Sequence, residues 1–478
     1  MRLLVNFLDA LRKVRLKLSM ENLGNTNQVT KSLAAFKSND EKTQDMKSEF
    51  QWINKSKLDQ AKIDDEKDIN EGSTAGSEML WQNIKRVLLM CGGQTKPGGI
   101  EDVKRMKDSC RLVDVLEAQR FVSQVFAAMK VPKQAASEMA DALIAADYMG
   151  QRSMGIHRLP AIAADLLNCT VVGNAIPGIV SEKKAMALVD GHNAPGPVVA
   201  NFCMDLALQK AREVGIGWVS ARSSNCIGFA SWYACQALEQ RMIGLCMTNG
   251  APTLVPFGGV EPILGENPIA CAASGVHEQF LADFGMAACS LEELELSYCN
   301  GWSKEVPKLV ALDRNGKETT LTEEALRAQR IRAFQPEHKG FGMAAMVDIL
   351  CGVMTGARYA NQIQRRGVYS TENAPADLGQ VYVAIDPMRF CPSFEDRLGD
   401  FHRLLRQAMP NKVGKTAMVP GDKEMQHMKM VDEQGGLTMS PCTLCVLEEL
   451  ATKFGIVPLK MKGTKPSDAN ISEELQVA

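Results

Sequence analysis

Between residues 185 and 247 extended and helical patterns alternate, and this constrains the fold more than any other feature of the sequence. Ala185–Val189 reads as a strand ending at Asp190-Gly191, Val198–Val214 as a helix, Ile216–Ala221 as a strand, Ala230–Gln240 as a helix and Ile243–Met247 as a strand. A β-α-β-α-β order calls for an α/β fold with a parallel or mixed sheet covered by helices. Sheets of this kind often hold a dinucleotide on a glycine-rich turn between a strand and a helix. That turn is absent here: Gly215-Ile216-Gly217 opens a strand, with no third glycine and no helix behind it. Any nucleotide must be held in another way.

Helical segments flank this centre. Val113, Leu116, Phe121, Val122, Val125 and Phe126 recur mostly at helical spacing, and a second helix, Lys133–Ala146, follows the turn at Val131-Pro132. Further on, a long helix is expected over Gly342–Gly356 and a strand over Val381–Ile385. Two helices are expected in the last part, Phe394–Ala408 with Ser393 as N-cap and Pro441–Phe454 behind Ser440. The first twenty residues are apolar at helical spacing and carry Arg2, Arg12, Lys13, Arg15 and Lys17 against Asp9. Such a segment permits a mitochondrial presequence, and equally an amphipathic helix on a cytosolic protein. From Glu21 to about Gly76 the chain is polar and mixed in charge, with Asp64-Asp65-Glu66-Lys67-Asp68 as its most solvated run, and reads as a disordered extension.

Composition excludes several classes. An apolar fraction of 45% over 478 residues calls for a packed core, and a formal net charge of −2 provides no field for a polyanion, so nucleic acid is not an expected partner. The longest apolar stretch, Met343–Met354, is short and broken by Asp348 and Gly352, so no membrane span is expected. Many of the 14 cysteines sit in apolar segments such as Leu350-Cys351-Gly352, where a thiol packs as a small hydrophobe; a reducing, cytoplasmic compartment fits this usage, with a mitochondrial one as the alternative. Cys442 and Cys445 at a helix start allow a redox or metal role, but no second pair completes a zinc site, and core packing is the simpler account.

Residues 146–158 read Ala-Asp-Tyr-Met-Gly-Gln-Arg-Ser-Met-Gly-Ile-His-Arg. Asp190-Gly191, Thr248-Asn249, Gly265-Glu266-Asn267-Pro268, His338-Lys339-Gly340, Val347-Asp348-Ile349-Leu350 and Val419-Pro420-Gly421-Asp422 follow in order. From about Val113 to Leu459 the chain resembles the malate/L-lactate dehydrogenase family that lacks a Rossmann domain. The resemblance implies that family's mixed-sheet fold, NAD or NADP as cofactor, a small 2-oxo or 2-hydroxy acid as substrate, and a homodimer with its active site between subunits. It also implies an organisation: an extension over residues 1–110, a helical substrate-side segment over 111–180, a cofactor-binding α/β domain over 181–340, C-terminal helices and strands over 341–460 packing with the N-terminal segment, and a polar tail over 461–478.

Dehydrogenation of such acids needs a cation for the carboxylate, a group that moves a proton to or from the substrate oxygen, and a dry pocket for the nicotinamide. By resemblance, Arg158 grips the carboxylate, where a planar guanidinium gives two charge-assisted bonds, and Ser153 adds a hydroxyl. An arginine near a helix end is otherwise an ordinary ion pair. The proton-moving positions depart from the pattern. Met154 stands where the family has one active-site histidine and Cys226, in Ser224-Asn225-Cys226-Ile227-Gly228, where it has a second. Losing general acid–base catalysis typically costs about 10²- to 10⁴-fold, so an oxidoreductase of weak activity and a catalytically dead protein serving as a dimeric binding or structural unit are both open. His157 and Cys226 are the conceivable substitutes for the missing acid. For the cofactor the resemblance points to Asn249, Gly250, Asn267, Asp283, His338, Lys339 and Gly340, and the alternative for Asp283, His338 and Lys339 is a set of solvated loop residues. Phe284-Gly285-Met286 follows Asp283 where the family has Met-Ala-Thr, and Glu266 replaces a threonine, which would set a carboxylate against an anionic ligand. No metal site is expected.

Overall fold

The computed structural model describes residues 110–303, 305–364, 374–410 and 417–462. The extension up to residue 109, with its presequence-like start, lies outside the described residues. Strand β1 (Arg111–Val113) leads into helix α1 (Val115–Ala128), whose N-terminus is capped by Asp114 accepting from the Leu116 and Glu117 amides. Of the apolar residues expected at helical spacing, Phe121, Val122, Val125 and Phe126 are fully buried, whereas Leu116 is exposed and Val113 belongs to β1. Pro132 then starts α2 (Lys133–Tyr148), an alanine-rich helix whose second half is buried all round. A buried helix needs small side chains for close approach and partners for its polar ones; the Gln119 amide accordingly donates to Asp141 at 3.3 Å.

Two short 3₁₀ turns, Arg152–Met154 and Ile156–Arg158, lead into α3 (Leu159–Leu167). The main sheet begins with β2 (Gly178–Glu182) and β3 (Met186–Asp190), crosses over through α4 (Gly196–Val214) to β4 (Ile216–Ser224), and continues through α5 (Ser231–Gln236) to β5 (Ile243–Thr248). After the short β6 (Leu254–Val255) come β7 (Ile269–Ser274), β8 (Gln279–Phe284) and α6 (Leu291–Cys299). Strands β9 (Ala311–Leu312) and β10 (Glu318–Thr319), α7 (Thr322–Ala328) and β11 (Ile331–Arg332) follow. Helix α8 (Glu337–Asp348) runs into a π-helical turn, Ile349–Val353, and is followed by β12 (Leu378–Ile385) and α9 (Phe394–Arg406). The chain closes with α10 (Asp422–Gln434), β13 (Leu437–Met439), α11 (Pro441–Phe454) and β14 (Met461–Lys462).

The seven-stranded sheet has the order β2-β3-β4-β12-β5-β7-β8, and β3 and β4 are its one parallel pair. It is therefore mixed. The three strands expected at residues 185–247 are all present, but β5 does not lie beside β4: β12 runs between them, antiparallel to both. A central strand covered on both faces reads as a continuous apolar run, and Leu378 to Ala384 are all buried. Its one polar member, Gln380, donates to the Asn225 carbonyl at 2.8 Å and accepts from the Tyr382 hydroxyl at 2.9 Å. Because β12 belongs to this sheet, the sheet draws strands from both sides of the expected boundary at residue 340.

Four-stranded β10-β9-β11-β6 has its own core of Leu294, Val310, Ala325, Leu326 and Ile331 under α6 and α7. A third sheet, β13-β1-β14, pairs Val113 with Leu437 and Met461, tying the start of the described chain to its end; Met461–Lys462 are strand, not polar tail. Other differences are local. Helix α8 begins at Glu337, ahead of the expected Gly342, and loses α-helical winding after Asp348. The Cys351 carbonyl there faces Gly379 of β12 so closely that a Cβ on Gly379 would lie 1.6 Å from its oxygen. Ser393 precedes α9 without a side-chain cap bond, whereas Ser440 caps α11, accepting from the Thr443 amide at 3.1 Å. The expectation of two helices in the last part omits α10, whose polar, charge-rich sequence shows no clear apolar stripe.

Candidate active site

The turn that would carry substrate is shaped from beneath by Asp147, near the end of α2. Its Oδ2 accepts from the Ile156 amide at 2.8 Å, and a Cβ built on Gly155 would lie 2.1 Å from its Oδ1. Only glycine fits there, so residues 152–158 are folded around a buried carboxyl group. Burial pushes that carboxyl up to about 7, against the downward pull of the Ile156 amide and the Arg152 charge. His427 of α10 contacts the Asp147 carbonyl oxygen through Nε2 at 3.1 Å and so supports the same helix end.

Ser153 is buried and Met154 partly so. Arg158 Nη1 donates to Glu295 Oε2 of α6 at 2.7 Å, with the two side chains 22% and 14% exposed. This is a covered ion pair, neither a surface pair nor an open cation. Burial opposes the guanidinium charge, but Glu295 and Glu292, with Cys226 adding to them, hold the group above its ordinary value. The Glu295 carboxyl is raised by burial, with Arg158 pulling it back. Cys226 is exposed, in the loop after β4. The structure thus brings together Ser153, Met154, Arg158 and α6, with the Cys226 thiol close enough to act on the Arg158 charge.

The residues expected at the cofactor divide into two groups. Asn249 and Asn267 are buried and fully engaged within the protein. Asn249 accepts from the Gly379 amide at 2.9 Å and donates to the Arg358 carbonyl at 2.8 Å; Asn267 accepts from the Gly250 amide at 3.1 Å and donates to the Ala344 carbonyl at 2.9 Å. They join the end of β5 to α8 and β12. Asp283 accepts from the Ser231 amide at 2.7 Å, at the start of α5, and burial pushes it up to about 6 against those Ser231 bonds. His338 and Lys339, by contrast, are exposed in the first turn of α8, where His338 meets Phe257 edge-on at 6.1 Å. Gly340 lies against the Phe334 backbone, where a Cβ would come within 2.7 Å of the carbonyl oxygen, while a Cβ on Gly250 would meet nothing within 4 Å. His338, Lys339 and the backbone at Gly250 are thus open to a ligand, whereas Asn249, Asn267 and Asp283 spend their hydrogen bonds within the protein.

Glu266 differs from its expected effect. Its Oε1 accepts from the Leu291 amide at 2.9 Å, at the first residue of α6, and burial, with Glu292 nearby, lifts its carboxyl well above the ordinary range. The side chain occupies the N-terminus of α6 and is not a charge facing outward into a ligand. Neither this contact nor the Arg158–Glu295 pair was found from the sequence, because each joins residues far apart in the chain.

The sequence holds six histidines, and all lie in the described residues. His192 bonds the Ile176 carbonyl at 2.8 Å, His277 is exposed in the β7–β8 turn, and His402 is buried with Nδ1 3.2 Å from Glu278. His338 and His427 are placed as above. His157 alone adjoins Arg158, and burial, followed by the Arg158 charge, presses its pKa down to about 3. It is neutral at physiological pH and carries no acidic proton of the imidazolium kind. Among the described residues no group of three or more His, Cys, Asp or Glu side chains could hold a metal ion, and no helix is long and apolar enough to cross a membrane.

Comparison with known proteins supports the same framework. The sequence profile of the malate/L-lactate dehydrogenase family matches residues 113–447. Malate dehydrogenase of Pyrococcus horikoshii is 30% identical over 344 residues, covering 70% of this chain and 93% of that protein. The NAD(+)-dependent ureidoglycolate dehydrogenase of Escherichia coli O157:H7 is 29% identical over 298 residues, 61% of this chain and 82% of the enzyme. Among solved structures, malate dehydrogenase of Entamoeba histolytica superimposes with a TM-score of 0.68 at 25% identity, covering 73% of this chain and 99% of that one. With the mixed sheet, the Ser153–Arg158 turn and these matches in agreement, the chain belongs to the malate/L-lactate dehydrogenase family.

Proposed function

We propose that this chain is an NAD- or NADP-linked oxidoreductase of 2-hydroxy and 2-oxo acids in which proton transfer is impaired, so that turnover is slow. The census of imidazoles around Arg158 carries this reading: Met154 and Cys226 stand at the proton-moving positions, and the one neighbouring histidine, His157, is held neutral. Ser153 and Arg158 would orient the acid, His338 and Lys339 would meet the anionic part of the dinucleotide, and the bound nicotinamide would exchange hydride with the substrate carbon. A methionine thioether has no proton to give. The Cys226 thiol is the one protic group left at the two altered positions.

A second reading, a catalytically dead binding or structural protein, is favoured by the Arg158–Glu295 pair, which fills the acid anchor with the chain's own carboxylate. In either case the partner subunit is taken to be a second copy. Met346, Ile349, Val353 and Met354 are exposed along α8 and its π-helical turn, and a helix apolar on its outer side as well as its inner side suits burial against another surface. The described cysteines are all thiols, in keeping with a reducing, cytoplasmic location.

Purified protein mixed with NADH or NADPH and a panel of 2-oxo acids tests the first reading beside a Met154→His, Cys226→His double variant. Restored acid–base catalysis should raise turnover by about 10²- to 10⁴-fold. Activity in the variant with none in the parent would favour the second reading; no activity in either would sink the first.

A further inference from the structure

The ion pair beneath the acid-binding turn goes further than either reading. We propose that Glu295 is a specificity-determining residue: its carboxylate occupies Arg158 as an internal counter-ion, and an incoming carboxylate binds only by displacing it. The inference rests on Arg158 being the substrate anchor, and it adds a competitor that the chain itself supplies.

The geometry is direct. Glu295 Oε2 accepts from Arg158 Nη1 at 2.7 Å, and both groups are largely covered, so water screens the contact weakly. Glu295 lies inside α6, and the N-terminal end of that helix is anchored by Glu266 on the Leu291 amide, so the carboxylate is carried on a fixed element and not on a loop. Glu292, on the same helix, adds negative charge near the guanidinium. Glu295 takes an Nη1 N–H and sets a carboxylate against the guanidinium, so an incoming carboxylate meets like charge there and competes for that donor. The pocket therefore disfavours small carboxylates unless α6 or the Glu295 side chain moves away. A ligand that brings a hydroxyl or amide to Ser153 without a carboxylate for Arg158 does not meet this competitor. Glu295 acts through Arg158 and is a positioning residue in that sense.

Titration calorimetry of the full chain with oxamate, a small 2-oxo carboxylate, tests the proposal in the parent, in Glu295→Gln, and in Glu295→Gln combined with Arg158→Gln, each in the presence of saturating NADH. Removing the competing charge should tighten oxamate by about tenfold or more, and the added Arg158→Gln change should abolish the gain. A purely structural role would alter melting without this reciprocal dependence on Arg158. Equal affinity in the parent and in Glu295→Gln overturns the proposal and leaves Arg158 as an anchor. A gain that survives Arg158→Gln also overturns it. No oxamate binding in any of the three removes the anchor itself, and the proposal with it. Should Glu295→Gln fail to fold, Glu295→Asp, which withdraws the carboxylate by one methylene, is read by the same outcomes.

Discussion

Gly155 gives the sharpest test of how the turn at residues 152–158 is built. An alanine there would place its Cβ 2.1 Å from Asp147 Oδ1, 2.3 Å from Cγ and 2.5 Å from Oδ2, and real contacts of this kind do not occur. Asp147 cannot yield cheaply, because it is buried and holds the Ile156 amide at 2.8 Å. Losing a hydrogen bond to a charged or strongly polar buried group costs about 1.5–3 kcal/mol, and overpacking a filled site costs about 1–3 kcal/mol. Gly155→Ala should therefore destabilise the protein by about 3–5 kcal/mol. Urea denaturation of the parent, Gly155→Ala, Asp147→Ala and the double variant separates the causes. Once the carboxyl is removed, the added methyl group has somewhere to go, so Gly155→Ala should cost less than about 1 kcal/mol in the Asp147→Ala background. If Gly155→Ala is as stable as the parent within about 0.5 kcal/mol, or equally costly in both backgrounds, Asp147 does not shape the turn.

Asp147 also leads to a pH dependence. Its folded value of about 7 lies above the 3.8 of an unperturbed aspartate, so the native state binds that proton more tightly than the unfolded chain. The stability this contributes is complete below about pH 4 and is lost as pH rises through 7. Asp147→Asn keeps an acceptor for Ile156 and does not titrate; relative to it the parent should lose at most on the order of 4 kcal/mol across that window, measured by chemical denaturation, and parallel curves would show the shift to be absent. A third expectation concerns α11. Ser440→Ala removes the acceptor for the Thr443 amide and should cost about 1 kcal/mol by thermal melting, with no effect on oxamate binding.

Local periodicity carried much of the architecture. The strands at 186–190, 216–224 and 243–248 and the helix between Gly196 and Val214 were legible because each repeats apolar residues at its own period, and the start of α11 was read because Ser440-Pro441 is a strong terminal signal. Short strands such as β6, β9 and β11 and the polar helix α10 carry too few apolar residues to show a period. The place of β12 in the middle of the sheet was not legible either: its sequence marks a buried strand, but which neighbours it pairs with depends on edges contributed by β4 and β5.

The candidate site divides in the same way. Residues 153–158 and Cys226 can be read directly, and so can the resemblance that sets Met154 and Cys226 against histidines of the family, since these are matters of residue identity in an ordered set of motifs. Tertiary structure alone decided that Arg158 meets a glutamate 137 residues away, that Glu266 serves the start of α6 and does not face a ligand, and that Asn249 and Asn267 hold the framework together. A side chain's type determines which bonds it can make, but in a folded chain the partner that reaches it, and the water excluded around the two, are set by elements brought together from distant parts of the sequence.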